Sequence, residues 1–196
     1  MYIPDVFLGE AEHMSDLLRD HPLATLVLHG SADPHIAHVP LVARRDRKAL
    51  LGHVARSNPL ASAIRVGARA TAVVHGPDAY VSPTAYVTQQ GHVPTWNYAV
   101  AHVVGTLRVL EDAISVLDEL VATFENDDGY RPDWTDARIS ELASHITCFE
   151  FVIEAIEVKL KLSQNRHADD FEAATARFER DGRRELVRWM RIANPK

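Results

Sequence analysis

Cysteine is almost missing from this sequence. Cys148 is the only one in 196 residues, which excludes an internal disulfide and fits a reducing compartment. Long apolar runs are missing too, since none approaches the roughly 20 residues a membrane-spanning helix needs. The opening Met1-Tyr2-Ile3-Pro4-Asp5 has no basic stretch followed by an apolar one, so no secretory leader is expected and the expected location is the cytoplasm. There is no positive excess: 21 Lys and Arg stand against 27 Asp and Glu, for a net charge of −6. That balance argues against a protein that grips a phosphate backbone. A GxSxG elbow, a glycine-rich loop of the P-loop or dinucleotide type and zinc-ligand spacing are also lacking. The eleven histidines do not fill the gap. His35 and His38, three apart in an extended stretch, fall on opposite faces, and His102 inside an apolar strand reads as a core histidine. No metal site is expected, and no catalytic set is identified.

What is present is an ordinary globular composition, 46% hydrophobic and 24% charged, enough for one domain with a filled core. Residues 10–20 have helical spacing and end at His21-Pro22. Ala24–His29, Ala37–Ala43 and Ala49–Ala55 read as strands, with turns at Gly30–Pro34 and Arg44–Lys48. Asn58-Pro59 reads as a helix start, with the helix running to about Val66 and stopping at Gly67. Arg69–His75 is a further strand, closed by Gly76-Pro77. A loop-rich stretch, 78–97, leads into a long strand over Tyr98–Leu110. Glu111–Asn126 and Asp133–Ser144 read as helices, Thr147–Leu162 as a strand, and the charged segment from Arg166 as helical. About six strands with short connections predict a mostly β, α+β fold: an antiparallel barrel with peripheral helices.

Three segments carry candidate chemistry. In His53–Pro59 (HVARSNP) a strand gives way to a helix, whose free N–H groups suit a phosphate, with Arg56 as a bidentate partner and Ser57 and Asn58 as polar neighbours. On spacing alone, a plain capped helix with a surface arginine is the better account. In Tyr80–Tyr86 and Val93–Tyr98 (YVSPTAY, VPTWNY), aromatic faces suit a planar ring, and Thr95 and Asn97 could offer hydrogen bonds; loop packing is the plainer account. Lys161–Asn165 (KLSQN) is a polar cluster at a strand end, for which a solvated strand end is the plainer account on composition alone.

Together these segments resemble the PaiB family of FMN-binding regulators. The resemblance rests on MYIP, Leu51–Pro59 (LGHVARSNP), Gly76–Ser82 (GPDAYVS), VPTWNY with His102, and KLSQN, spread over nearly the whole chain in family order. It implies an FMN-binding split β-barrel, with residues 1–165 forming the flavin domain and 166–196 its helical C-terminal extension. It implies FMN as cofactor and a homodimer with flavin sites shared between subunits. The phosphate role maps onto His53, Arg56, Ser57 and Asn58. The ring-side roles map onto Thr95, Trp96, Asn97, His102, Lys161, Ser163, Gln164 and Asn165. Two departures stand out: Ala85 where the family commonly carries tryptophan, and Ala101 where it often has valine. The family's regulator role is one implied function; a flavin-dependent oxidoreductase and a haem-handling split barrel are alternatives. The C-terminal segment offers arginines interleaved with Glu179, Asp181 and Glu185, and an apolar stripe of Leu186, Val187, Trp189, Met190 and Ile192 that predicts packing rather than specific DNA binding.

Overall fold

Alternation of apolar and polar residues builds the sheet of this protein. A computed structural model describes residues 1–29, 34–45, 48–65, 67–125 and 128–194. Parts of the two expected turns (30–33, 46–47), the expected helix ends at Val66 and Asn126, and the last two residues lie outside the described residues. The strands are β1 (Leu8–Gly9), β2 (Leu23–Leu28), β3 (Ile36–Pro40), β4 (Val42–Ala43), β5 (Ala49–Ala55), β6 (Arg69–Val81), β7 (Thr95–Leu110) and β8 (Ile146–Lys161). The helices are α1 (Ala11–Asp20), α2 (Pro59–Arg65), α3 (Ala113–Phe124), α4 (Ala137–Ser144), α5 (Ala168–Arg180) and α6 (Arg184–Ala193). The strand order is β3-β2-β6-β7-β8-β5-β4, with β1 added on β8. The β2–β3, β2–β6, β4–β5, β5–β8 and β1–β8 pairs are antiparallel. This is the expected α+β architecture.

Three expectations need correction. The strand expected over Ala37–Ala43 is two strands. Pro40 has no N–H to give the ladder, and the N–H of the fully buried Leu41 goes instead to the Pro22 carbonyl at 2.8 Å. Gly76-Pro77 does not close β6, which continues to Val81. Gly76 is there for close approach: a Cβ on it would meet Leu17 Cδ2 at 2.4 Å and Ala99 Cβ at 3.1 Å. The strands number eight among the described residues, not six, because β1 and β4 have only two residues each and carry no period.

The chain forms two compact units. One comprises Met1–Leu17, His75–Ala101 and Glu157–Lys196; the other comprises Leu18–Val74 and His102–Ile156. In the first, α5 buries Phe171, Ala174 and Phe178, and α6 buries Leu186, Trp189 and Met190. Gly182, at φ 76°, makes the left-handed turn between these helices, and Arg191 pairs with Glu172 across them. The stripe expected on α6 is thus a packing face in part: Val187 is half-buried and Ile192 exposed. In the second unit, Phe149 and Phe151 of β8 are fully buried, and Gly52 lets β5 lie against Leu41 and Phe149. Val42, Leu51, Val116, Leu120 and Cys148 form a cluster that holds α3 to β4, β5 and β8. No helix among the described residues is long and apolar enough to cross a membrane.

Candidate functional site

The strand-to-helix junction forms as its residues dictate. Asn58 caps α2 through its side chain, whose Oδ1 accepts the Leu60 N–H at 2.9 Å, and Pro59 occupies the first helical position. The Arg56 N–H donates to the His145 carbonyl at 2.8 Å, tying the junction to the residue before β8. The Arg56 and Ser57 side chains are exposed. Arg56 lines a polar cavity of about 290 Å³ with Arg65, Val109, Leu110, Glu111, Ala113, Ile146, Thr147 and Cys148. Arg65, from the last turn of α2, brings a second guanidinium. Nothing in the HVARSNP spacing pointed to it; two helical turns carry it back. Two guanidinium forks and the Thr147 hydroxyl suit a phosphate dianion, with the Glu111 carboxylate the one opposing charge in the lining. Burial, and then the charge of Asp112, push the Cys148 thiol up to about 11, so it is a neutral thiol at pH 7.

His53 sits elsewhere. It lines a mostly apolar cavity of about 320 Å³ with Pro40, Leu117, Leu120, Val121, Phe124, Glu125 and Trp134. Its Nδ1 is buried without a hydrogen-bond partner among the described residues, and burial holds its pKa below the ordinary 6.5. His102 is half-buried in β7.

In the first unit, 66 residues apart in sequence, VPTWNY and KLSQN come together. The Lys161 ammonium donates to Thr95 Oγ1 and, at 2.8 Å, to the Trp96 carbonyl. Burial, with Lys159 and Arg166 nearby, lowers its pKa. Ser163 takes a φ of 69°, the one non-glycine residue with positive φ among those described, and its hydroxyl donates to Asn97 Oδ1 at 3.0 Å. Asn97 and Ser163 are 1% and 4% exposed, and the remaining Asn97 Nδ2 donates to Met190 Sδ at 3.8 Å, so the amide is spent inside the protein rather than on a surface. Gln164 folds back on the strand end: its Oε1 accepts the Leu162 N–H at 2.7 Å and its Nε2 donates to the Leu160 carbonyl at 2.5 Å. Asn165 is exposed, as is Trp96, whose ring meets Tyr80 edge-on at 6.0 Å.

The loop before VPTWNY is held by charges that sequence reasoning missed. Asp170, at the start of α5, accepts the Thr88 N–H at 3.0 Å, which with a second backbone N–H keeps its carboxyl below the usual range. His92 lies 3.5 Å from that carboxylate and 2.9 Å from an Arg166 guanidinium nitrogen, and Arg166 stacks over the Tyr86 ring. Ala85 lines a shallow cavity of about 270 Å³ with Tyr86, Ala173, Ala176, Arg177 and Arg180.

The model of the family described as "Putative FMN-binding domain" matches residues 1–155. The chain belongs to this family. Among curated proteins it is similar to the Protease synthase and sporulation protein PAI 2 of Bacillus subtilis (strain 168), with 29% identity over 180 residues, covering 87% of this chain and 86% of that protein. Among solved structures it is similar to the FAD and haem binding protein from Mycobacterium smegmatis, at a TM-score of 0.59 and 23% identity, covering 84% of this chain and 78% of that one. The flavocytochrome Anf3 from Azotobacter vinelandii gives a TM-score of 0.60 at 13% identity, covering 77% and 67%. At these identities the structural likeness speaks for the fold, the split barrel. The FMN-binding family match ends before KLSQN, so the cluster that Lys161 builds with Thr95 and Trp96 is completed by residues beyond it.

Proposed function

We propose that this protein holds FMN with the phosphate between Arg56 and Arg65, flanked by Ser57, Asn58 and Thr147. The observation that carries the reading is the polar cavity that Arg56 and Arg65 both line, at the junction where the resemblance puts the phosphate. Bound FMN supplies redox chemistry that no side chain offers. The chain's part is to fix the phosphate by paired charges and, through Thr95, Trp96, His102, Lys161, Gln164 and Asn165, to contact the ring or ribityl chain. Asn97 and Ser163 then act as positioning residues behind Lys161. Residues 1–165 serve as the flavin domain and 166–196 as its extension. In this reading the protein is a cytoplasmic homodimer and a negative regulator, the role that the family resemblance implies, without strong specific DNA binding of its own.

The absorption spectrum of the purified protein with added FMN tests this. Flavin bands that stay with the protein through gel filtration, at the elution volume of a dimer, are expected; a flavin-free protein at saturating FMN rules the reading out. A second reading, haem handling, draws on the neutral His53 in its apolar cavity, and on the solved relative described as binding FAD and haem. A Soret band on adding haem, lost in His53→Ala, would favour it.

A further inference from the structure

Beside its buried stripe, α5 carries Ala173, Ala176, Arg177 and Arg180 on one face, at helical spacings of three and four. Across from that face stands the turn Pro83–Ala85, with Tyr86 following it, and a cavity of about 270 Å³ lies between them. Every residue of this lining belongs to the first unit. Three alanines, Ala85, Ala173 and Ala176, leave the space open because a methyl group reaches too short a way to fill it. Both walls are held in place by the protein's own bonds. Ser82 Oγ accepts the Thr84 N–H at 3.2 Å and caps the turn, and Asp170 of α5 accepts the Thr88 N–H at 3.0 Å.

The charges of this lining have one sign. Arg177 donates to Asp181 Oδ2 at 2.9 Å. Arg180 has no partner among the described residues, and no carboxylate lines the cavity. Tyr86 is a second unspent group. It is 3% exposed, its ring is held between Arg166 and His92, each at 4.9 Å, and its hydroxyl has no hydrogen-bond partner among the described residues. A buried donor without a partner is destabilising, and native proteins rarely leave one unless something else satisfies it. An anion with a flat apolar body answers all three features. Its ring covers the alanine methyl groups, its carboxylate pairs with the Arg180 fork, and a carboxylate oxygen accepts the Tyr86 O–H.

We infer that this cavity binds a small aryl carboxylate, held by Arg180 and Tyr86 over the alanine floor. The size of the ligand follows from the space, which lies at the lower end of small-molecule sites, about 300–1,000 Å³, and so takes a single ring. None of these residues belongs to the proposed flavin site, so the inference stands whether or not FMN binds.

Phenylacetate and its uncharged amide, phenylacetamide, are suitable probes, because they share a ring and differ in charge. Titration calorimetry on the full chain, with and without saturating FMN, should show phenylacetate binding equally in both states. Phenylacetamide should bind about tenfold more weakly or worse, the size of one lost charged hydrogen bond. Arg180→Met should cost phenylacetate a similar factor, while Arg184→Met, which removes an exposed arginine outside the lining, should change nothing. Ala176→Leu fills the cavity from an exposed helix position that leucine suits. It should abolish binding and leave the melting temperature and FMN affinity unchanged. Tyr86→Phe should weaken phenylacetate about two- to tenfold, with a melting temperature equal or higher, because the hydroxyl it removes has no partner in the free protein. No phenylacetate binding, equal binding of acid and amide, full binding by Ala176→Leu, or equal losses in Arg180→Met and Arg184→Met would overturn the inference. Loss of phenylacetate binding at saturating FMN would overturn it too, by giving the cavity to the flavin.

Discussion

His53 and Arg56 stand three residues apart, yet they open on different chemistry. His53, the fifth residue of β5, faces an apolar cavity under α3, where its imidazole is kept neutral. Arg56, one residue past the strand, faces a polar cavity that it shares with Arg65 and Thr147. The strand period explains the difference. Side chains on β5 alternate faces until Ala55, and the turn at 56–58 then redirects the chain toward α2. A short contiguous motif therefore lines two cavities, and the lesson is that contiguity in sequence ends where backbone direction changes.

The largest test of this contrast removes the apolar wall. Leu120 belongs to the buried cluster and lines the His53 cavity. Leu120→Ala should cost about 2–5 kcal/mol of stability in a denaturant titration, while the ratio of FMN to riboflavin affinity stays unchanged. Next comes the polar side. Arg56→Ala and Arg65→Ala should each weaken FMN by about ten- to a hundredfold, with riboflavin, which has no phosphate, affected much less. Equal losses for both ligands in a fluorescence titration would erase the distinction. A smaller effect is expected at the turn between the two residues. Asn58→Ala should cost about 1 kcal/mol through the lost cap on α2, visible as a lowered melting temperature, with Asn58→Asp retaining most of it.

The smallest effect concerns pH. The folded protein holds His53 below its ordinary 6.5, so it favours the neutral ring. Above 6.5 both folded and unfolded states are neutral and the residue is silent. As pH falls through 6.5 the unfolded chain takes up a proton first, and stability drops. His53→Leu should flatten that part of the stability–pH curve. A curve unchanged by the substitution would mean that the ring is hydrated and does not belong to the apolar side.

Much of this fold could be read from patterning. The bounds of β5 and the start of α2 follow from Ala49–Ala55 and Asn58-Pro59 because local chemistry decides them. The misreading at Gly76-Pro77 has a physical cause: glycine serves a turn and a close approach alike, and only Leu17 and Ala99, distant in sequence, show which. The candidate residues were legible as types and not as partners. Nothing in spacing says that Lys161 reaches Thr95, that Ser163 satisfies Asn97, or that Arg65 joins Arg56. The first two come from the pairing of β7 with β8, and the third from the two turns of α2 that set Arg65 on the wall of the cavity Arg56 lines.

Ser163 also says something about which residues the turn can accept. A serine at φ 69° occupies a conformation that glycine adopts without strain. Ser163→Gly would ease the backbone, yet the sequence keeps the hydroxyl. The hydroxyl satisfies the buried Asn97 Oδ1, and that contact forms late. The unit that contains Asn97 is built from three chain segments, and the last of them begins at Glu157. When Asn97 leaves the ribosome its buried amide has no partner to close on, and it waits some sixty-six residues for Ser163. A nascent chain stopped at residue 155, the end of the family match, would carry VPTWNY with neither Lys161 nor Ser163 to hold it. The ring-side cluster can thus close only after residue 163 has been made, late in translation.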